Sequence, residues 1–168
     1  MLRGLYITCF MVFGVCNAQI EMELTPAGFE PVSVVIPATP TEKLVELSKA
    51  WALEYNIRKE GADITNVSDN TITISAYRNN AFFYRNNGVP YEHKIRYTMK
   101  LDFTPGSYTL FFTIVDIYHN DVLLEYKIPD YFTSEGKLKD GYNGLDESLL
   151  KTVNGIVNSH YNYLINFR

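Results

Sequence analysis

Cysteine is nearly missing from this chain. Of 168 residues only Cys9 and Cys16 are cysteines, and both fall within the first eighteen. Beyond residue 18 there is no thiol, which excludes disulfides, thiol catalysis and cysteine–metal sites from the rest of the chain. A long apolar run is missing too. No stretch approaches the ~20 residues a membrane-spanning helix needs. An excess of positive charge is also lacking: 15 basic residues face 19 acidic ones. An acidic chain matches a phosphate backbone poorly, so nucleic acid is not an expected partner. No Gly-x-Ser-x-Gly, His-Glu-x-x-His or phosphate-binding glycine loop occurs, and nothing points to a cofactor.

The N-terminus, by contrast, carries a pattern. Met1-Leu2-Arg3 is a basic start, Gly4 to Val15 a short apolar run, and Cys16-Asn17-Ala18 a small-residue end. Residues 1–18 read as a signal peptide cleaved between Ala18 and Gln19. The expected location is the periplasm or cell envelope of a Gram-negative bacterium. Lipid anchoring at Cys16 is disfavoured, because Val15 rather than a small residue precedes it. Cleavage removes Arg3 and both cysteines, leaving 14 basic and 19 acidic residues, a net charge of −5. The mature chain then divides into a leader, 19–28, and a single domain, 29–168. It has the length to bury a substantial core.

Hydrophobic spacing sets the elements. Phe29 to Ile36 alternates as a first strand. Thr39-Pro40-Thr41-Glu42 reads as a capping box opening a helix to about residue 56. Leu44, Leu47, Ser48, Trp51 and Tyr55 fall on one face of that helix, with Trp51 as the core anchor. Ile64 to Val67 and Thr71 to Tyr77 read as strands about a turn at 68–70. Lys94 to Phe103 and Tyr108 to Tyr118 form a long hairpin. Matching its apolar faces pairs Phe103 with Tyr108, Leu101 with Leu110, Met99 with Phe112 and Tyr97 with Ile114. Val122 to Ile128 reads as one more strand, 129–145 as a long loop, and Asp146 to Phe167 as a closing helix. The expected fold class is α+β: strand, helix, antiparallel meander, helix, with both helices on one face of a curved sheet.

These residues carry a resemblance. Phe29-Glu30-x-Val32 leads to Ile36-Pro37, Lys49-Ala50-Trp51 lies on the helix, and Tyr97-Thr98-Met99-Lys100-Leu101 turns into Tyr108-x-Leu110-x-Phe112. Over residues 29–165 the chain resembles a family of secreted bacterial proteins of unknown function with a fold like that of TATA-binding protein. The resemblance implies the same element order. It implies no activity or site residue, and a shared fold does not bring DNA binding with it.

Three places could act. On the outer face of the hairpin, continuing the register sets Lys100 against Phe111, Arg96 against Val115 and Lys94 against Ile117, with Tyr77 alongside. Tyr77, Lys94, Arg96, Lys100 and Phe111 mix cations with aromatics, as a site for an anionic or amphipathic ligand would. Asp116, His119 and Asp121 could hold a divalent metal or support acid–base chemistry if they converge. Ala81-Phe82-Phe83-Tyr84 is either a strand closing the core or a docking surface. His93 is expected at a solvated strand start, and His160 at the helix boundary. The leading expectation is a non-enzymatic module, monomeric or weakly oligomeric, that binds a protein, peptide or small amphipathic ligand. The alternatives are a hydrolase-like enzyme at the Asp/His cluster and a structural envelope protein.

Overall fold

A computed structural model describes residues 19–57 and 61–167; the expected signal segment lies outside the described residues. The elements run β1 (Leu24–Thr25), β2 (Gly28–Phe29), β3 (Val32–Val35), α1 (Thr41–Asn56), β4 (Ala62–Thr65), β5 (Thr71–Asn86), β6 (Val89–Thr104), β7 (Ser107–His119), β8 (Val122–Leu123), a 3₁₀ turn (Ile128–Tyr131) and α2 (Leu145–Asn166). The main sheet has the order β3-β7-β6-β5-β4, with β8 against β7, and every pairing is antiparallel.

The expected strand at Thr71 continues through the aromatic run to Asn86. The turn that ends it is Asn87-Gly88, with φ of 50° and 81°. Two positive-φ residues between twisted strands make a tight hairpin, and asparagine and glycine tolerate that conformation best. The aromatic run divides between the two expectations: Ala81 and Phe82 are buried, Tyr84 is half-buried and Phe83 is exposed.

The apolar register holds from Thr104–Ser107 up to Tyr97–Ile114. There β7 bulges by one residue, so Arg96 meets Asp116 rather than Val115, and Lys94 meets Tyr118 rather than Ile117. Without the bulge the Asp116 carboxylate would face the core; with it Asp116 turns out and Ile117 is fully buried. A second break lies between Arg78 and Phe82, where β5 carries two more residues than β6. An insertion of two keeps the inside–outside alternation.

Other expectations are corrected locally. Thr39 does not cap α1: its hydroxyl donates to Pro37 O at 3.1 Å, and Pro40 occupies the N-cap position. The expected strand at 122–128 stops at Leu123. Pro129, which has no N–H to offer a ladder, sits in the 3₁₀ turn beyond. The leader belongs to the fold. Ile20 and Met22 are buried, and their N–H groups donate to Asn158 Oδ1 (2.8 Å) and Asn154 Oδ1 (2.9 Å) on α2.

Both helices pack on the sheet's inner face. Trp51 and Leu44 of α1 and Leu149, Val153 and Ile156 of α2 join Ile72, Ile74, Met99 and Leu101 in the core. His160 is not a boundary residue but fully buried. Ser48 donates its hydroxyl proton to Leu44 O (2.8 Å), so its oxygen is left to accept from His160 Nε2 at 2.9 Å. His93 is buried as well, stacked on Phe82 with centroids 4.7 Å apart. The reason is the extension of β6, which carries His93 onto the inner face opposite Phe82.

Burial lowers the His160 pKa to about 3. Burial, and then the neighbouring His119, lower that of His93 to about 4. In the unfolded chain both titrate near 6.5. Below that pH the unfolded state takes up protons that the folded state does not. Stability is therefore full above pH 7 and falls as pH drops through 6.5, by up to about 1.4 kcal/mol per pH unit for each histidine. Denaturant unfolding at pH 7, 6 and 5 should show this slope, and His160→Gln should lessen it. An equal slope in the variant would contradict the assignment.

Candidate functional site

On the outer face of the sheet the expected cations are already matched. Arg96 Nε donates to Asp116 Oδ2 at 2.7 Å, and Lys127 Nζ reaches Asp116 Oδ1 at 3.1 Å. Burial acts to raise the Asp116 pKa, but the hydrogen bonds from Arg96 and Lys127 outweigh it and hold the carboxyl below its ordinary value. Lys100 pairs with Asp102 at 2.7 Å and lies 5.2 Å from the centre of Phe111. Lys94 reaches Asp121 at 3.4 Å and lies over Tyr77 and Tyr118, at 4.9 and 5.6 Å. These charges already have partners inside the chain.

Asp116, His119 and Asp121 are drawn apart by the same contacts. Asp116 faces Arg96 and Lys127, and Asp121 faces Lys94. His119 Nδ1 donates to Glu92 O at 3.0 Å, while its Nε2 receives the Asn120 amide at 3.2 Å. Among the described residues no group of three or more His, Cys, Asp or Glu side chains is placed to hold a metal ion.

A different surface is open. A cleft of about 650 Å³ runs between β5 and α2, where β5 extends beyond its pairing with β4. The register break in β5 contributes Asn80 and Ala81 to its wall, and Arg78 stands just before it. Phe83 supplies apolar surface, and α2 lays Ser148, Lys151, Thr152 and Gly155 along the other side at helical spacing. Ser148 ties the walls together: its hydroxyl donates to Phe83 O at 2.8 Å and lies 3.1 Å from Phe83 N. At the mouth Arg85 N donates to Asn143 O at 3.1 Å.

The charge of the cleft opposes that of the chain. Among the described residues Arg78, Arg85 and Lys151 line it against one carboxylate, that of Glu147. Among the described residues none of these three cations has an ion-pair partner. Among the described residues Arg78 Nε is buried without a hydrogen-bond acceptor, which costs about 1–3 kcal/mol. α2 begins at Gly144 without a cap from that residue, and Asp146 Oδ1 accepts from Glu147 N at 2.9 Å, so the carboxylates of the first turn offset the helix dipole.

Of the aromatic run read as either core or docking surface, Phe83 lies exposed in the cleft wall; Arg78, Arg85 and Lys151 are not among the residues the sequence singled out. The usable signal was Arg78 itself, a cation at a position that continues the inward-facing set Ile72, Ile74, Ala76.

The fold now allows comparison. A DUF4468 family protein from Bacteroides ovatus is similar at TM-score 0.56 and 11% identity, covering 88% of this chain and 88% of that one. A TBP-like protein from Parabacteroides distasonis is similar at TM-score 0.58 and 15% identity, over 83% of this chain and 93% of that one. At such identities the likeness is one of fold: the chain has the TBP-like α+β arrangement, shared with uncharacterised bacterial proteins. No family model and no curated protein matches the chain. Among the described residues no helix is long and apolar enough to cross a membrane.

Gly155 sits within α2, and a Cβ built there meets no atom within 4 Å. Glycine inside a helix is less favourable than alanine by about 1 kcal/mol. Packing does not require it, whereas an open cleft wall explains it. Gly155→Ala should stabilise the protein by about 1 kcal/mol in denaturant unfolding; a loss of stability would show that the glycine is needed by the fold.

Proposed function

We propose that the chain is an exported, non-enzymatic binding module whose cleft between β5 and α2 takes a small amphipathic anion. One observation carries the reading: three cations with no ion-pair partner among the described residues line a cleft beside exposed Phe83 on an otherwise acidic chain. The anionic head meets Arg78, Arg85 and Lys151, and the apolar body lies on Phe83. The cleft volume falls within the roughly 300–1,000 Å³ usual for small-molecule sites. Export on residues 1–18 agrees with the leader. Ile20 and Met22 are built into the core, so a mature chain starting at Gln19 keeps both contacts.

Anilinonaphthalene sulfonate, an aromatic anion, is a suitable probe. It should bind saturably at one site, and Lys151→Glu should weaken it about tenfold by replacing an attraction with a repulsion. Gly155→Leu should abolish binding by filling the cleft, while the melting temperature is kept or raised. Wild-type dye affinity in both variants would contradict the proposal.

A further inference from the structure

The helices leave the far half of the inner sheet face uncovered, and the segment after β8 closes over it. Beneath that segment is a second cavity of about 260 Å³. Five of its lining residues are tyrosines: Tyr84, Tyr91, Tyr126, Tyr131 and Tyr142. The walls stand at right angles. Tyr84 stacks on Tyr91 with centroids 5.3 Å apart, while Tyr142 meets Tyr84 edge-on at 4.9 Å and 78°, and Tyr131 at 4.9 Å and 86°. His93, His119 and Leu124 complete the box; the two imidazoles are 5.2 Å apart, and their Nδ1 atoms are bonded to the carbonyl oxygens of Tyr91 and Glu92.

Among the described residues no Lys, Arg, Asp or Glu side chain lines this cavity. Its recognition surface is therefore aromatic faces and edges. Aromatic faces carry the negative end of a quadrupole and attract cations, more strongly where water is excluded. An added negative charge is opposed in the box. Tyr84 and Tyr131 both lie above the ordinary tyrosine range, through burial first and then through their tyrosine neighbours, with Asp130 adding to the effect at Tyr131. His93, with its pKa near 4, brings no competing positive charge at neutral pH.

We propose that this tyrosine box binds the methylated ammonium head of a small organic cation. A quaternary ammonium has no N–H groups to satisfy, so a wall of rings is a sufficient host. At about 260 Å³ the space lies below the roughly 300–1,000 Å³ of sites for drug-sized ligands and suits a small head group. The five hydroxyls, which make no hydrogen bonds to other described residues, are free to meet a polar tail at the rim. The site is separate from the anion cleft, and its ligand has the opposite charge.

The test is an NMR titration of the purified protein with choline, and with its uncharged carbon isostere 3,3-dimethylbutan-1-ol, read at the His93 and His119 ring signals. Choline should shift both saturably, and the isostere should bind about tenfold more weakly, the discrimination expected of a desolvated cation–π site. Tyr126 is exposed, so Tyr126→Ala should leave the melting temperature unchanged while weakening choline about fivefold, for the loss of roughly 1 kcal/mol of ring attraction. Tyr142→Phe keeps the ring and should bind choline as the wild type does. Equal affinity for the isostere, or no saturable shift up to about 50 mM choline, a limit of only some 2 kcal/mol of binding, would overturn the proposal. Dye binding in the anion cleft should be unaffected by Tyr126→Ala, so the two sites fail or stand separately.

Discussion

The structure depends on a mismatch of length. β5 and β6 each have sixteen residues, and at about 3.3 Å per residue each spans about 53 Å. α1 has sixteen residues and α2 twenty-two, and at 1.5 Å per residue they cover only about 24 and 33 Å. Two helices cannot cover such a sheet from end to end. The core with Trp51, Met99 and Val153 forms where they do. Farther along, the strands must be broken, bent and covered by other means. The breaks at Arg78–Phe82 and Arg96–Tyr97 and the tyrosine-bearing loop over the far half are the result.

Much of this was legible in the sequence where one physical rule acted alone. Strict alternation over Tyr97 to Phe103 and Tyr108 to Phe112 determined the register, because a one-residue slip would expose the whole set. Helical spacing located Trp51 and Leu149. Legibility ended where two rules competed. The β7 bulge exists because continued alternation would bury Asp116; the charge at that position was the available sign. The hairpin turn was written in Asn87-Gly88, but the surrounding asparagines hid it. The capping box at Thr39 met every local requirement. Pro37 and Pro40 extend the chain on both sides of Thr39 and give its hydroxyl a nearer partner, Pro37 O.

The same competition explains why the site moved. Cations on the outer sheet face looked available for a ligand, but strand pairing sets carboxylates or rings opposite them. The cations without an ion-pair partner among the described residues flank the inserted stretch of β5, as Arg78 and Arg85 do, or lie on the helix facing it. Likewise, the histidines that looked peripheral are buried, because β6 and α2 reach farther inward than their polar neighbours suggested. Both openings are thus consequences of the sheet's length. Neither follows from the fold shared with the solved bacterial structures, which establishes architecture and leaves the chemistry to this chain's own residues.

The central claim is that the two-residue insertion in β5 creates the cleft. A crystal structure of the protein lacking Asn79 and Asn80 tests it most directly. Removing both residues preserves alternation and should give a continuous register, with Ala81 opposite Lys94 and Phe82 still opposite His93. The account predicts a folded protein in which β5 closes against α2 and the space beside Phe83 is lost. A cleft of unchanged volume over a continuous sheet would contradict it.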